Sequence, residues 1–267
     1  MHDIRKKDEE CIVCHKKLSI DKEMDIAERE YYIEGAGQLC MDCYSKIFDN
    51  RRTNYEDYFK EQLELYKNDI EYQDKKIYEF FKRLIDIIFS LVVMIPVLCL
   101  VGILCIVIRI DSKGNPIFSQ VRVGKDGRLI KIHKLRSMVA DAEKDGQKWA
   151  AENDPRVTRV GKFIRKYRLD ELPQFYDVLL GRMSLVGPRP EIPSLTHDFN
   201  EEYPGFVTRL LVIPGLSGWA QVNGGYNITP EEKWKKDVYY IENRSFKLYM
   251  KIFMKTLGVI TTGEDAR

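Results

Sequence analysis

With 267 residues and a net charge of +2, the chain has room for one large domain or two small ones and lacks the overall field that draws nucleic acid. Charged residues make up 31% of it, so its cations act through local clusters. The opening MHDIRKKDEE is charged and lacks the apolar core of a cleavable signal.

Residues 11–43 read CIVC, a polar spacer, then CMDC. Cys11, Cys14, Cys40 and Cys43 form two CxxC knuckles 25 residues apart, a pattern that suits a closed tetrahedral zinc site. Two disulfides or redox CxxC pairs are the competing readings. A zinc-thiolate site has no open position for chemistry and favours a reducing compartment. The other two cysteines, Cys99 and Cys105, lie in an apolar run and read as packing residues.

From Tyr55 to Leu84 there is no Gly or Pro, and Phe59, Leu63, Tyr66, Ile70, Gln73, Ile77, Phe80 and Leu84 recur at steps of four and three. That spacing predicts one helix. Its stripe is either the seam of a parallel homodimer or a face laid on the body of the protein or on the membrane. Ile87 to Ile108 is the most apolar segment and, as a helix, about 33 Å long, enough to reach across a bilayer. Basic residues flank both ends, which gives no direction of insertion. Pro96 near its middle predicts a break. A reducing compartment for the knuckles and a cytoplasmic nucleotide for the cationic stretch would put both ends on one side, so the segment would enter one leaflet and return.

Residues 116–136 predict a β-hairpin turning at GKDG, with Arg122, Lys134 and Arg136 adding positive charge; Lys131 and His133 read as a solvated face. Residues 161–190 are the chemical centre. Asp170 and Glu171 follow Lys162, Arg165, Lys166 and Arg168, and Pro173 starts a second helix, which places the acidic pair at its N-terminus. A carboxylate among cations suits phosphoryl transfer, as attacking group or metal holder; a merely capped helix start is the plainer alternative. Arg189, held in GPRP, is pre-set to meet an anion. PGLSGWAQVNGG reads as a glycine-rich loop offering Gln221 and Asn223 for amide recognition. A helix carrying Asp237 follows. The last segment sets Lys247, Lys251 and Lys255 along one side of an apolar helix, as at a lipid headgroup boundary.

Taken in order, FSQVRVGKDG, KIHKLRSM, DPRVTRVGKFIRKYRLDELPQ, GRMSLVGPRP, PGLSGWAQVNG and DVYYIENRS resemble the bacterial sugar transferase family, the monotopic polyprenyl-phosphate phosphoglycosyl transferases, over about residues 81–263. The resemblance implies that Asp170 is a nucleophile with Glu171 as dyad partner, that Arg165 and Asp237 belong to the active site and that Lys134 lies on the phosphate side. It also implies Mg2+, for which Asp170 is the candidate ligand, and a helix-break-helix membrane segment re-emerging on the cytoplasmic face. Leu135, Ile95, Gly225 and Tyr249 depart from the family's usual residues; Tyr249 stands where an aspartate is common.

The expected fold is α+β and mainly helical: a zinc-knuckle domain over 1–50, a charged helix over 51–83, a re-entrant helix over 84–110 and a cytoplasmic catalytic domain over 111–267 with amphipathic helices around a small hairpin. The expected protein moves a sugar-1-phosphate from a UDP-sugar to polyprenyl phosphate, releasing UMP, at the cytoplasmic face of a bacterial inner membrane with both termini cytoplasmic. Candidate donor-side contacts are Lys134, Arg136, Arg122, Arg189, Gln221 and Asn223. Expected partners are the bilayer and a second copy through residues 55–84, with no nucleic acid. The alternative is a zinc-containing membrane adaptor with a degenerate transferase domain. A glycosidase fits poorly, since its carboxylates must face each other across a sugar.

Overall fold

A computed structural model describes residues 8–12, 14–21, 32–33, 37–38, 55–139, 142, 154–224 and 228–262. In chain order these form β1 (Asp8–Glu10), β2 (Lys17–Asp21), β3 (Tyr32–Ile33), β4 (Gly37–Gln38), α1 (55–66), α2 (Lys76–Asp111), β5 (Ile117–Val123), β6 (Leu129–Leu135), α3 (Arg159–Lys166), α4 (Gln174–Leu179), β7 (Ser184–Val186), α5 (Pro193–Glu202), β8 (Gly215–Ser217), α6 (Trp219–Gly224), α7 (Pro230–Glu242) and α8 (Phe246–Thr262). The mainly helical expectation holds. Strands pair only two by two among the described residues: β1–β2, β3–β4 and β5–β6 antiparallel, β7–β8 parallel.

Of the two cysteine knuckles, Cys40 and Cys43 lie outside the described residues. The first knuckle is a tight turn between β1 and β2, closed by Cys11 N–H to the Lys16 carbonyl (3.0 Å), and Ile12 N–H donates to the Gln38 carbonyl (3.0 Å). The end of β4 is thereby tied to the Cys11–Cys14 turn.

The single helix expected from Tyr55 to Leu84 is two helices. α1 ends at a 3-10 turn, Lys67–Asp69, and residues 70–75 are neither helix nor strand before α2 begins at Lys76. Tertiary contacts explain the break. Arg244 lies over the Tyr72 ring (4.8 Å to centroid) and donates to the Gln73 carbonyl (2.7 Å), while Lys75 donates to the Arg244 carbonyl (2.9 Å). The heptad stripe is divided accordingly. Phe59 and Leu63 are buried with Val123, Val207 and Leu210, whereas Ile77, Phe80 and Leu84 are exposed on α2. The first half of the seam is therefore a face laid on the same chain, leaving it unavailable to a coiled coil.

α2 continues as one hydrogen-bonded helix through Pro96, where the sequence predicted a break. Proline removes one donor from the ladder, and the neighbouring turns carry the helix across it. α2 is long and apolar enough to cross a membrane. Both of its ends are held by one body. Near the start, Asp86 accepts from Leu185 N–H (3.1 Å) and the Ser184 hydroxyl (2.6 Å), and Arg83 donates to the Val178 and Leu179 carbonyls (2.5 and 2.8 Å). Near the finish, Leu104 and Ile108 are buried against Leu135 and Ile164. Between these anchors Ile88, Leu91, Val92, Ile95 and Leu98 are exposed, as is Cys99, which is no core residue.

The β5–β6 hairpin forms as predicted, with Val123 opposite Leu129 and Phe118 opposite Lys134. Its turn needs glycine at Gly127, where φ is +75° and a Cβ would lie 2.7 Å from the Phe59 Cβ. The main core joins β6, α4, β7, α7 and α8 through Ile132, Val178, Leu185, Tyr240, Tyr249 and Ile252. The glycine-rich stretch 214–224 is β8 followed by α6 rather than a loop; residues 225–227 lie outside the described residues. α7 starts on a capping box between Thr229 and Glu232. On α8, Lys251 and Lys255 sit over the Trp219 ring (5.1 and 5.5 Å to centroid).

Candidate active site

The acidic pair occupies its own 3-10 turn, Leu169–Glu171, one step ahead of the predicted position, because α4 begins only at Gln174. Arg168 enters the turn in the left-handed region (φ 53°), and its N–H donates to the Arg165 carbonyl (3.0 Å). This reversal folds the turn back from the end of α3. α3 can lie there because Gly161 has no side chain; a Cβ would meet the Ser137 carbonyl oxygen at 1.9 Å.

Asp170 and Glu171 are 9% and 8% exposed, and their surroundings pull them apart electrostatically. Glu171 Oε1 accepts from Lys134 Nζ on β6 (3.0 Å) and from Arg189 Nη2 (2.5 Å). Burial works against its charge, but Arg189 and Lys134, with Arg168 behind them, hold its carboxyl well below the usual range. Asp170 is pushed the other way, by burial and by the Glu171 charge beside it, against the pull of Lys134, Arg189 and Arg165. Two neighbouring carboxyls thus differ in kind: one clamped as an anion, the other reluctant to ionise and more basic when it does. No hydrogen bond to the Asp170 carboxylate appears among the described residues.

Behind Arg189 lies a layer in which Arg122 and Asp237, expected from the sequence, join Arg209, Glu191 and Lys233, which were not. Residues 189–191 are gripped one after another: Arg209 Nη2 donates to the Arg189 carbonyl (2.7 Å), Arg122 Nη1 to the Pro190 carbonyl (3.3 Å), and Val123 N–H to the Glu191 carbonyl (2.9 Å). The Glu191 carboxylate pairs with Lys233 and lies 3.6 Å from Arg122 and 3.9 Å from Arg209. Burial opposes its charge, yet Lys233, Arg209 and Arg122 bring its pKa down to about 2. Asp237 sits in this layer. It is 1% exposed and accepts from Arg209 Nε and Nη2 at 3.1 and 2.6 Å. Burial raises its pKa despite Arg209 and Lys233.

The structure therefore brings Asp170, Glu171, Lys134, Arg189 and Arg165 together, with Arg122 and Asp237 one layer back. Arg136 goes elsewhere: its guanidinium donates to the Lys113 and Ser112 carbonyls (2.7 and 2.6 Å) and caps the C-terminal end of α2. Gln221 donates to the Leu216 carbonyl (3.1 Å); Asn223 donates to the Trp219 carbonyl (2.9 Å) and accepts from Lys255 (2.6 Å), so both amides brace α6. His133, read as solvated, pairs with buried Asp177 through its ring Nδ1 and its N–H (both 2.9 Å). Arg209 and Asp86 did leave a signal. Each is a lone charge within an apolar run, and such a charge needs a buried partner.

Residues 77–263 match the family described as bacterial sugar transferase. A UDP-N-acetylgalactosamine-undecaprenyl-phosphate N-acetylgalactosaminephosphotransferase of Aeromonas hydrophila is 46% identical over 195 residues, 72% of this chain and 46% of that protein. A UDP-glucose:undecaprenyl-phosphate glucose-1-phosphate transferase of Klebsiella pneumoniae is 43% identical over 182 residues, 66% of this chain and 39% of that protein. The uncharacterized sugar transferase EpsL of Bacillus subtilis is 35% identical over 181 residues, 66% of this chain and 87% of that protein. The chain spans less than half the length of the first two.

Proposed function

Because the chain belongs to the bacterial sugar transferase family, we propose that it moves a sugar-1-phosphate from a UDP-sugar to polyprenyl phosphate by two displacements at Asp170. An Asp170 carboxylate oxygen attacks the sugar-bearing phosphorus, the diphosphate P–O bond breaks, and UMP leaves. A phosphate oxygen of the lipid then attacks the same phosphorus, releasing Asp170 and forming the polyprenyl diphosphate sugar. The contrast within the dyad carries this reading. Glu171 is held as an anion by Lys134 and Arg189, which keeps two cations at the level of the attacking group, while Asp170 keeps its carboxylate uncommitted. The cations then balance charge that develops on the diphosphate. A catalytically silent adaptor would have no use for that asymmetry.

The Asp170 carboxylate, which accepts no hydrogen bond among the described residues, would be the protein ligand of a Mg2+. Bound there, the ion would supply further charge neutralisation. Two knuckles, one closed as a tight turn and tied to the end of β4 two residues before Cys40, fit a structural zinc held by Cys11, Cys14, Cys40 and Cys43.

The anchoring of both ends of α2 on one body supports a segment that enters a single leaflet by bending at Pro96 without losing its helical hydrogen bonding, since a straight crossing would carry one anchor to the far side. Both flanks, and the dyad with them, would then lie at the cytoplasmic face, where lipid phosphate meets soluble nucleotide. The similar proteins are named for different sugars, so the donor is tested with a panel that includes UDP-N-acetylgalactosamine and UDP-glucose. With the correct donor and no lipid, the enzyme should release one equivalent of UMP and retain the labelled sugar phosphate. Asp170→Asn should do neither; normal UMP release by that variant would refute the assignment.

A further inference from the structure

We infer that Arg209 is a positioning residue for the reaction: fixed by Asp237, it holds the main chain of Arg189 so that the Arg189 side chain meets Glu171. The inference rests on the proposed dyad chemistry, and it gives Asp237 a role exerted through Arg209 instead of through substrate.

Arg209 is 3% exposed and does not touch the dyad. Its Nε and Nη2 converge on one oxygen of Asp237 at 3.1 and 2.6 Å, and the same Nη2 donates to the Arg189 carbonyl at 2.7 Å. Its remaining nitrogen, Nη1, is 3.9 Å from Glu191, and the Phe206 ring lies beneath the guanidinium, 4.9 Å from its centre. Nε and Nη2 are both used within the protein, and Nη2 binds the chain that presents Arg189. Arg189 differs, because its main chain is held from behind while its side chain reaches forward 2.5 Å from Glu171. The geometry passes from Asp237 through one guanidinium to a carbonyl, then along one residue to the dyad.

The base on which Arg209 stands is rigid. It lies on the 3-10 helix Phe206–Leu211, and its neighbours Val207 and Leu210 are buried against Phe59 and Leu63 of α1. Lysine at this position would keep the charge but could not form the fork, since its three donors radiate from one nitrogen. A displacement of about 1 Å in a catalytic group costs up to about 100-fold in rate. Loosening the Arg189 loop should therefore appear in the chemical step.

The test is a double-mutant cycle on single-turnover UMP release by the full chain in detergent or lipid nanodiscs, without lipid acceptor. Arg209→Lys should slow the burst by about 10-fold or more, and Arg189→Lys should slow it at least as much. Combined, the two should be no slower than Arg189→Lys alone within about 2-fold, because Arg209 acts only through Arg189. Losses that multiply, as a merely structural role would give, overturn the inference. So does an Arg209→Lys variant with an unchanged burst. Should Arg209→Lys fail to fold, Phe206→Leu, which removes the ring under the guanidinium, replaces it in the same cycle under the same criteria. A wild-type chain that gives no burst with any UDP-sugar of the panel sinks the dyad chemistry itself. A wild-type burst with multiplying losses sinks only the positioning role.

Discussion

The Tyr249 hydroxyl on α8 donates to Asp86 Oδ1 on α2 at 3.0 Å, joining the last helix to the start of the apolar one across 163 residues. Asp86 also takes the Leu185 N–H and the Ser184 hydroxyl of β7, and Lys82 lies 3.8 Å away with its ammonium on Ser184. All four side chains are buried. β7 runs straight into Gly187–Pro190, so the seat of α2 and the loop that presents Arg189 share one strand.

Asp86→Ala should destabilise the protein by about 3–5 kcal/mol, because it leaves the Lys82 ammonium buried without its counter-charge. Tyr249→Phe should cost less, about 1.5–3 kcal/mol, the range for one hydrogen bond to a charged group. Thermal unfolding in detergent measures both. An Asp86→Ala variant melting with wild type would show that this cluster does not seat α2.

Acid stability should depend on Glu191. Its pKa falls from 4.5 to about 2 on folding, so its contribution is complete above pH 4.5 and disappears as pH drops toward 2. At 1.36 kcal/mol per unit the pH-dependent part is about 3 kcal/mol. Burial draws the pKa of Lys233 down, which makes the net worth of the pair smaller, but the slope across this window belongs to the carboxyl. Glu191→Gln should flatten that slope in unfolding curves taken between pH 5 and 2. An unaltered slope would remove Glu191 from the account.

α1 lies outside the matched family segment, yet it buttresses the hairpin that carries Lys134. Phe59 packs over Gly127, and Glu56 accepts from Leu129 N–H at 2.7 Å. Phe59→Ala should cost about 3–5 kcal/mol, the range for a buried phenylalanine truncation. Gly127→Ala should be destabilising through both its positive φ and the Cβ contact. Hydrogen exchange at β5 and β6 would report both; protection unchanged in Phe59→Ala would mean that the hairpin stands without α1.

Zinc is expected to be structural. The Cys11→Ser, Cys40→Ser double variant should bind no stoichiometric metal, and donor-dependent UMP release should survive, since the thiolates take no part in transfer. One equivalent of zinc retained by that variant would overturn the ligand assignment.

Much of this protein is legible in one dimension. The apolar span inside α2, the hairpin and its glycine turn, the acidic pair behind its cations and the stiff arginine of GPRP follow from composition, turn chemistry and short spacings, because each is set by neighbours within a few residues. The break between α1 and α2, the refolding of the glycine-rich stretch into β8 and α6, and the diversion of Arg136 to a helix end do not. They depend on Arg244 meeting Gln73, on β7 pairing with β8, and on Arg136 meeting Ser112, pairings between segments far apart in the chain. The same holds for Arg209, whose charge is plain in the sequence and whose two partners are not. Local order follows from residue type and spacing, whereas a buried charge takes its meaning from whichever distant group packing places within hydrogen-bond reach.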